Sequence, residues 1–172
     1  MDLVEILKYV LPSLVTGLIA FFVMSKLLKQ ENLRHMMEVK RETVKHSFPL
    51  RLQAHERLIL LLERIDPVKM VNKIITPDMT ASAIQGLLVK NIREEFDHNI
   101  TQQLYVSNTC WKEVQEAKDA AIKLVTLAAG TVNPKSSAIE FSKNLIMLQA
   151  EKELYVSAKA ITAVKNEISK LF

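Results

Sequence analysis

The sequence predicts an all-α protein: one N-terminal transmembrane helix continuing into a basic stalk, then a cytoplasmic bundle of four or five helices. Three observations predict it. Three glycines and five prolines in 172 residues are too few turn-makers for a many-stranded β fold. A 17-residue run from Tyr9 to Ser25 (YVLPSLVTGLIAFFVMS) carries no charge. Downstream, apolar residues recur at spacings of three and four. The length suits one compact domain with a short appendage.

The apolar run covers about 25 Å at 1.5 Å per residue, slightly short of a hydrocarbon core roughly 30 Å thick. Leu27 and Leu28 extend it if Lys26 snorkels to the headgroups, and Tyr9 suits the opposite interface. Pro12 stands near the start, where a missing N–H costs little. Leu18, Phe21 and Phe22 would face lipid, and residues 1–28 are read as the anchor. A cleaved signal peptide would want a basic start and a small-residue cleavage site, whereas Asp2 and Glu5 come first and no such site follows. A buried core helix would keep a polar side somewhere, and Leu14, Val15, Leu18, Ile19, Phe21, Phe22 and Val23 leave none.

Orientation follows from the flanks. Lys8 is the one cation before the run, whereas Lys26, Lys29, Arg34, Lys40, Arg41 and Lys45 follow within about 20 residues, which keeps the C-terminal side in the cytoplasm. These cations account for most of the net charge of +4, so no nucleic-acid partner is required, and Lys26, Lys29 and Arg34 are expected at anionic headgroups. Residues 29–48 form the stalk, on which Leu33, Met37, Val44 and Phe48 make a thin stripe interrupted by Lys40 or Arg41. That stripe fits weak self-association or a partner better than a strong coiled coil. Pro49 is expected to interrupt or bend the helix.

Residues 49–172 form the cytoplasmic domain. Leu50 to Ile65 places Ala54, Leu58, Leu61, Leu62 and Ile65 on one side, with Leu60 nearly opposite Leu62 and free for a partner. Asp66-Pro67 and Thr76-Pro77-Asp78 punctuate a connector whose class stays open. Thr80 could cap a helix in which Ile84, Leu88, Ile92, Phe96, Ile100 and Leu104 repeat every four residues. Leu-Tyr-Val-Ser occurs at 104–107 and again at 154–157; a break is expected at the first, with Val106 stapled onto Trp111, while at the second, where Val156 would staple onto Ile161, the chain could also run on inside one long helix from Ser137. Whether residues 137–171 form one helix or two stays open. Trp111, Val114, Ala117, Ala121, Leu124, Val125 and Ala128 make an apolar face that Gly130 and Asn133-Pro134 end. Ser137 to Glu140 reads as a capping box, with Ala138, Phe141, Leu145 and Leu148 facing inward, and Ile161, Val164, Ile168 and Leu171 follow.

No constellation for catalysis stands out. Glu95 and His98 form a single E-x-x-H pair, where a di-metal bundle needs two such pairs and two more glutamates. With Phe96 facing the core, Glu95 falls about 100° to one side and His98 about 160° on the other, toward water. His55-Glu56 lacks the second histidine of a zincin, since position 59 is Ile59. Charged groups on that helix could instead pair with Arg93, Glu94 or Asp97. Cys110, the one cysteine, excludes an internal disulfide and lacks an evident activator. No cofactor is indicated, and a small-molecule substrate is not evident.

The N-terminal span, the basic stalk, Pro49 to Leu58 (PLRLQAHERL), Ile92 to Asn99 (IREEFDHN), Tyr105-Val106-Ser107 and Trp111 together resemble an uncharacterised family of small membrane-anchored helical proteins from Bacteroidota. The likeness covers the chain to about Ala129 and is weaker beyond. It implies a bacterial inner-membrane setting, no assigned activity and no site residues. The expected function is therefore that of a non-catalytic scaffold or accessory subunit of an inner-membrane complex, or a homo-oligomer, acting through Leu33, Met37, Val44 and Leu60. The alternatives are a metal-binding bundle enzyme centred on Glu95 and His98, or a surface module that binds anionic lipid.

Overall fold

The computed structural model describes the backbone of residues 3–151 and 156–170 and the side chains of residues 14–151 and 156–170. It is all-α: α1 (Leu3–Arg64), α2 (Pro67–Ile74), α3 (Ala81–His98), a 3-10 turn (Ile100–Leu104), α4 (Asn108–Gly130), α5 (Ala138–Glu151) and α6 (Ala158–Ile168). Among the described residues there is no strand, only an isolated bridge between Thr80 and Ser137. The chain divides into two units, Met1–Phe48 and Pro49–Phe172.

The first unit is helix throughout its described length. Among the described residues no helix is long and apolar enough to cross a membrane. An 18-residue window opening at Leu14 already takes in Lys26, Lys29 and Glu31. Residues 9–13 of the expected span, including the side chains of Tyr9 and Pro12, lie outside the described side chains. Pro49 does not end the helix as its chemistry suggests, for α1 runs on to Arg64. A proline inside a helix deletes one backbone hydrogen bond, yet helix is present on both sides of it here.

In the second unit the end of α1 buries Ala54, Leu58, Leu61, Leu62 and Ile65, the side that the sequence assigns inward. α4 packs against α3, α5 and α6, and its eight buried residues run from Cys110 to Ala128. The alanines there let neighbouring helices approach closely. Phe96 and Trp111 meet with ring centroids 5.3 Å apart, and the Lys118 ammonium sits 4.7 Å over the Phe96 ring. The starts of α3 and α5 are tied by Ala81 N–H to Ser136 O (2.8 Å) and Ala138 N–H to Met79 O (2.9 Å).

Four local expectations are refined. The unit holds α2 to α6 beside the end of α1, so the helices exceed four or five. The extra one is α2, where Asp66 accepts from Val68 N–H and Lys69 N–H (both 3.0 Å) and Pro67 takes the first turn. α3 stops at His98 rather than continuing to Leu104, which is 78% exposed while Gln102 turns inward. A repeat of four on a 3.6-residue helix drifts about 40° per step, so five steps from Ile84 carry Leu104 to the far side. Ser107 caps α4 through Cys110 N–H (3.2 Å). The second break also exists, since α5 ends at Glu151 and α6 begins at Ala158. There, however, Ser157 Oγ donates to Leu62 O (2.8 Å) instead of capping. Leu171 and residues 152–155 lie outside the described residues.

Candidate functional site

Surface residues come first, because the sequence assigns function there. In the first unit Leu14, Val15, Leu18, Ile19, Phe21, Phe22, Val23 and Met24 are all exposed, Phe21 and Phe22 by 68% and 70%. Helical geometry distributes these side chains around the full circumference. Lys26, Lys29 and Arg34 follow, also exposed. Leu33, Met37 and Val44 are exposed in the same unit.

Leu60 is 55% exposed and lies in an open cleft with Arg57, Leu61, Arg64, Glu95, His98 and Asn99. Its volume is about 540 Å³. Glu95 and His98 share this cleft, which corrects their assignment to opposite sides of Phe96, since residues three apart on a helix are neighbours. Glu95 faces Arg64 (3.5 Å), and His98 Nδ1 bonds to Glu94 O (2.8 Å) within its own helix. Among the described residues no group of three metal-ligating side chains comes together. The pairings expected between the end of α1 and α3 also change partners. Arg64 takes Glu95, while Glu94 pairs with Lys90 (3.7 Å).

A polar cluster around the buried His55 joins three elements that the sequence keeps far apart. His55 on α1 is 1% exposed. Its Nδ1 lies 2.6 Å from Arg51 O, and because a carbonyl only accepts, Nδ1 is the donor. Nε2 faces Glu167 Oε1 of α6 at 3.6 Å and has no hydrogen-bond partner. The Glu167 carboxylate accepts from Ser107 N–H (2.8 Å) and Ser107 Oγ (2.5 Å) at the start of α4. Arg51 Nε donates to Tyr105 O (3.4 Å) alongside. Burial alone would raise the pKa of Glu167, but the Ser107 hydroxyl and N–H, together with His55 and Arg51, hold it below its ordinary value. Cys110 beneath is 3% exposed, and burial, reinforced by Glu167 and Glu113, pushes its thiol up to about 12. A thiol so placed is a poor nucleophile. The cluster has the chemistry of a pin, closing the end of α1 onto α4 and α6, with His55 and Cys110 buried and Ser107 at the surface.

Sequence reasoning treats Ser107 only as a cap and does not single out Glu167. Their pairing spans 60 positions, and no local spacing signals it. The chain matches the family described as a family of unknown function (DUF7935) over residues 1–171, farther than the resemblance that fades past Ala129. No curated protein and no solved structure matches it. By that match along its length, the chain belongs to the DUF7935 family of unknown function.

Proposed function

We propose that this chain is a single-pass protein of the bacterial inner membrane, with its N-terminus outside and residues 49–172 in the cytoplasm. There it serves as a non-catalytic scaffold or accessory subunit that binds other proteins. The observation that carries this reading is the ring of exposed apolar side chains from Leu14 to Met24, bounded by Lys26 and Lys29. Exposed to water, that surface exceeds what a soluble monomer tolerates. Among lipid tails the same surface costs nothing, and the helix satisfies its own backbone. Tethering then raises the concentration of the helical unit near membrane partners. The sealed state of His55 and Cys110 supports a binding role over a catalytic one.

Ultracentrifugation of lysate from cells making the full chain tests the anchor. It should pellet with membranes, withstand alkaline carbonate and dissolve only in detergent. Recovery in the supernatant without detergent would end the proposal. A membrane-impermeant thiol reagent tests the orientation: in a Cys110→Ala background, Ser169→Cys at an exposed position should stay unlabelled in intact cells and become labelled once the membrane is permeabilised, and labelling in intact cells would reverse the orientation.

A further inference from the structure

Charge on the stalk is sorted by face, and the sorting defines a partner. Because the first unit is helical throughout residues 26–48, angular positions follow from about 100° per residue. Taking Leu33 as zero, Lys26, Met37 and Val44 fall within about 40° on one side, and Lys29 and Lys40 within about 40° on the other. Arg41, Arg34 and Lys45 lie on one flank near about 80°, 100° and 120°, while Glu31, Glu38 and Glu42 gather at about 140° to 180°. The apolar stripe is thus embedded in cations, with every carboxylate of the segment on the reverse side. Glu42 is engaged there by Lys45 (3.9 Å) and His46 (3.6 Å). Among the described residues Lys26, Lys29, Lys40 and Arg41 form no ion pair, and Leu33, Met37 and Val44 are exposed.

We propose that residues 26–48 form a docking face for an acidic amphipathic helix of a partner protein. This rests on the membrane-anchored reading above and names the partner's chemistry. Apolar residues of the partner would cover Leu33, Met37 and Val44, while its carboxylates pair with Lys29, Lys40 and Arg41 as flanking charges do in a heteromeric coiled coil. A second copy fits poorly. Two chains anchored in one membrane run parallel, which sets Lys40 against Lys40 in the seam and Lys29 near Arg34. A lipid surface can engage Lys26 and Lys29 close to Ser25 but not the distal cations of the face. Lys40 lies 15 residues past Ser25, about 22 Å along the axis, well beyond a screening length of about 8 Å.

The test uses the full chain in uncharged detergent and a fluorescent peptide of about three heptads with leucine in the seam and glutamate beside it. A twin peptide carries glutamine in place of glutamate. Fluorescence anisotropy should show the acidic peptide binding about tenfold tighter or more than its twin. The triple variant Lys29→Glu, Lys40→Glu, Arg41→Glu should lose that preference. Glu31→Gln, Glu38→Gln, Glu42→Gln on the reverse face should keep it, with helix content unchanged by circular dichroism in both. Equal affinity for the two peptides, or indifference to the triple variant, overturns the proposal. So does a dimer that Met37→Glu dissolves, which would assign the face to a second copy. Binding in phosphatidylcholine nanodiscs that phosphatidylglycerol abolishes would assign it to lipid. The titration reads the same whether or not the chain pellets with membranes, so failure of the anchor and failure of the face are told apart.

Discussion

Replacing Glu167 with glutamine preserves the size of the side chain and removes the charge that two Ser107 donors and His55 face. Hydrogen bonds to a charged group contribute about 1.5 to 3 kcal/mol, against about 0.5 to 1.5 for neutral ones, and the amide keeps one acceptor oxygen where Ser107 N–H and Oγ each use their own, so the two bonds together should lose about 2 kcal/mol. Glu167→Gln should therefore destabilise the helical unit by about 2 kcal/mol at neutral pH. For a unit of this size that lowers Tm by about 8 °C. The hydrophobic core lies wholly between Leu58 and Val164, so urea unfolding of residues 49–172, followed by circular dichroism, is a suitable assay. The pH dependence sharpens it. The folded-state pKa of Glu167 is lowered, so its contribution is fully present above about pH 5 and disappears as pH falls through the folded-state value. The gap between wild type and Glu167→Gln should accordingly close on acidification. Equal stability at neutral pH, or a gap that widens in acid, would refute the assignment of Glu167 as the pin.

Three further outcomes follow from burial and bonding. Leu58→Ala, at a fully buried position, should cost about 2 to 5 kcal/mol, whereas Leu60→Ala in the open cleft should stay within about 0.5 kcal/mol in the same urea assay. Cys110 should react with Ellman's reagent at pH 8 only slowly in the folded unit and within seconds in urea, because its buried thiol titrates near 12; rapid labelling of the native unit would mean that α4 is not closed over it. Ser157→Ala removes a buried bond to Leu62 O and should cost about 1 kcal/mol, while Ser169→Ala, on an exposed bond to Asn166 O, should be close to neutral by thermal unfolding.

Helix faces were legible wherever the apolar spacing was short-ranged. All seven residues assigned to the inner face of α4 are buried, as are Ala54, Leu58, Leu61, Leu62 and Ile65 of α1 and Ala138, Phe141 and Leu145 of α5, with Leu148 half-buried beside them. Caps at Thr80, Ser107 and Ser137 were legible too, since each is a side-chain oxygen three residues before the N–H that it receives. α2 went unclassified although Asp66-Pro67 is a strong start signal, because eight residues carry too little periodicity to stand out. The end of α3 was misplaced because a strict repeat of four looks helical in one dimension while winding around the helix in three.

The sequence by itself determined the all-α class, the concentration of apolar residues near the start, the basic segment after them and the inward face of each long helix. These are properties of neighbours within a turn or two, where spacing along the chain is also spacing in space. Only the tertiary structure decided that His55, Ser107 and Glu167 meet, that Ser157 bonds α1 instead of capping α6, and that Glu95 answers Arg64. Contacts between residues dozens of positions apart depend on how whole helices dock. Docking is set by the summed shape of their buried faces rather than by any local run of letters.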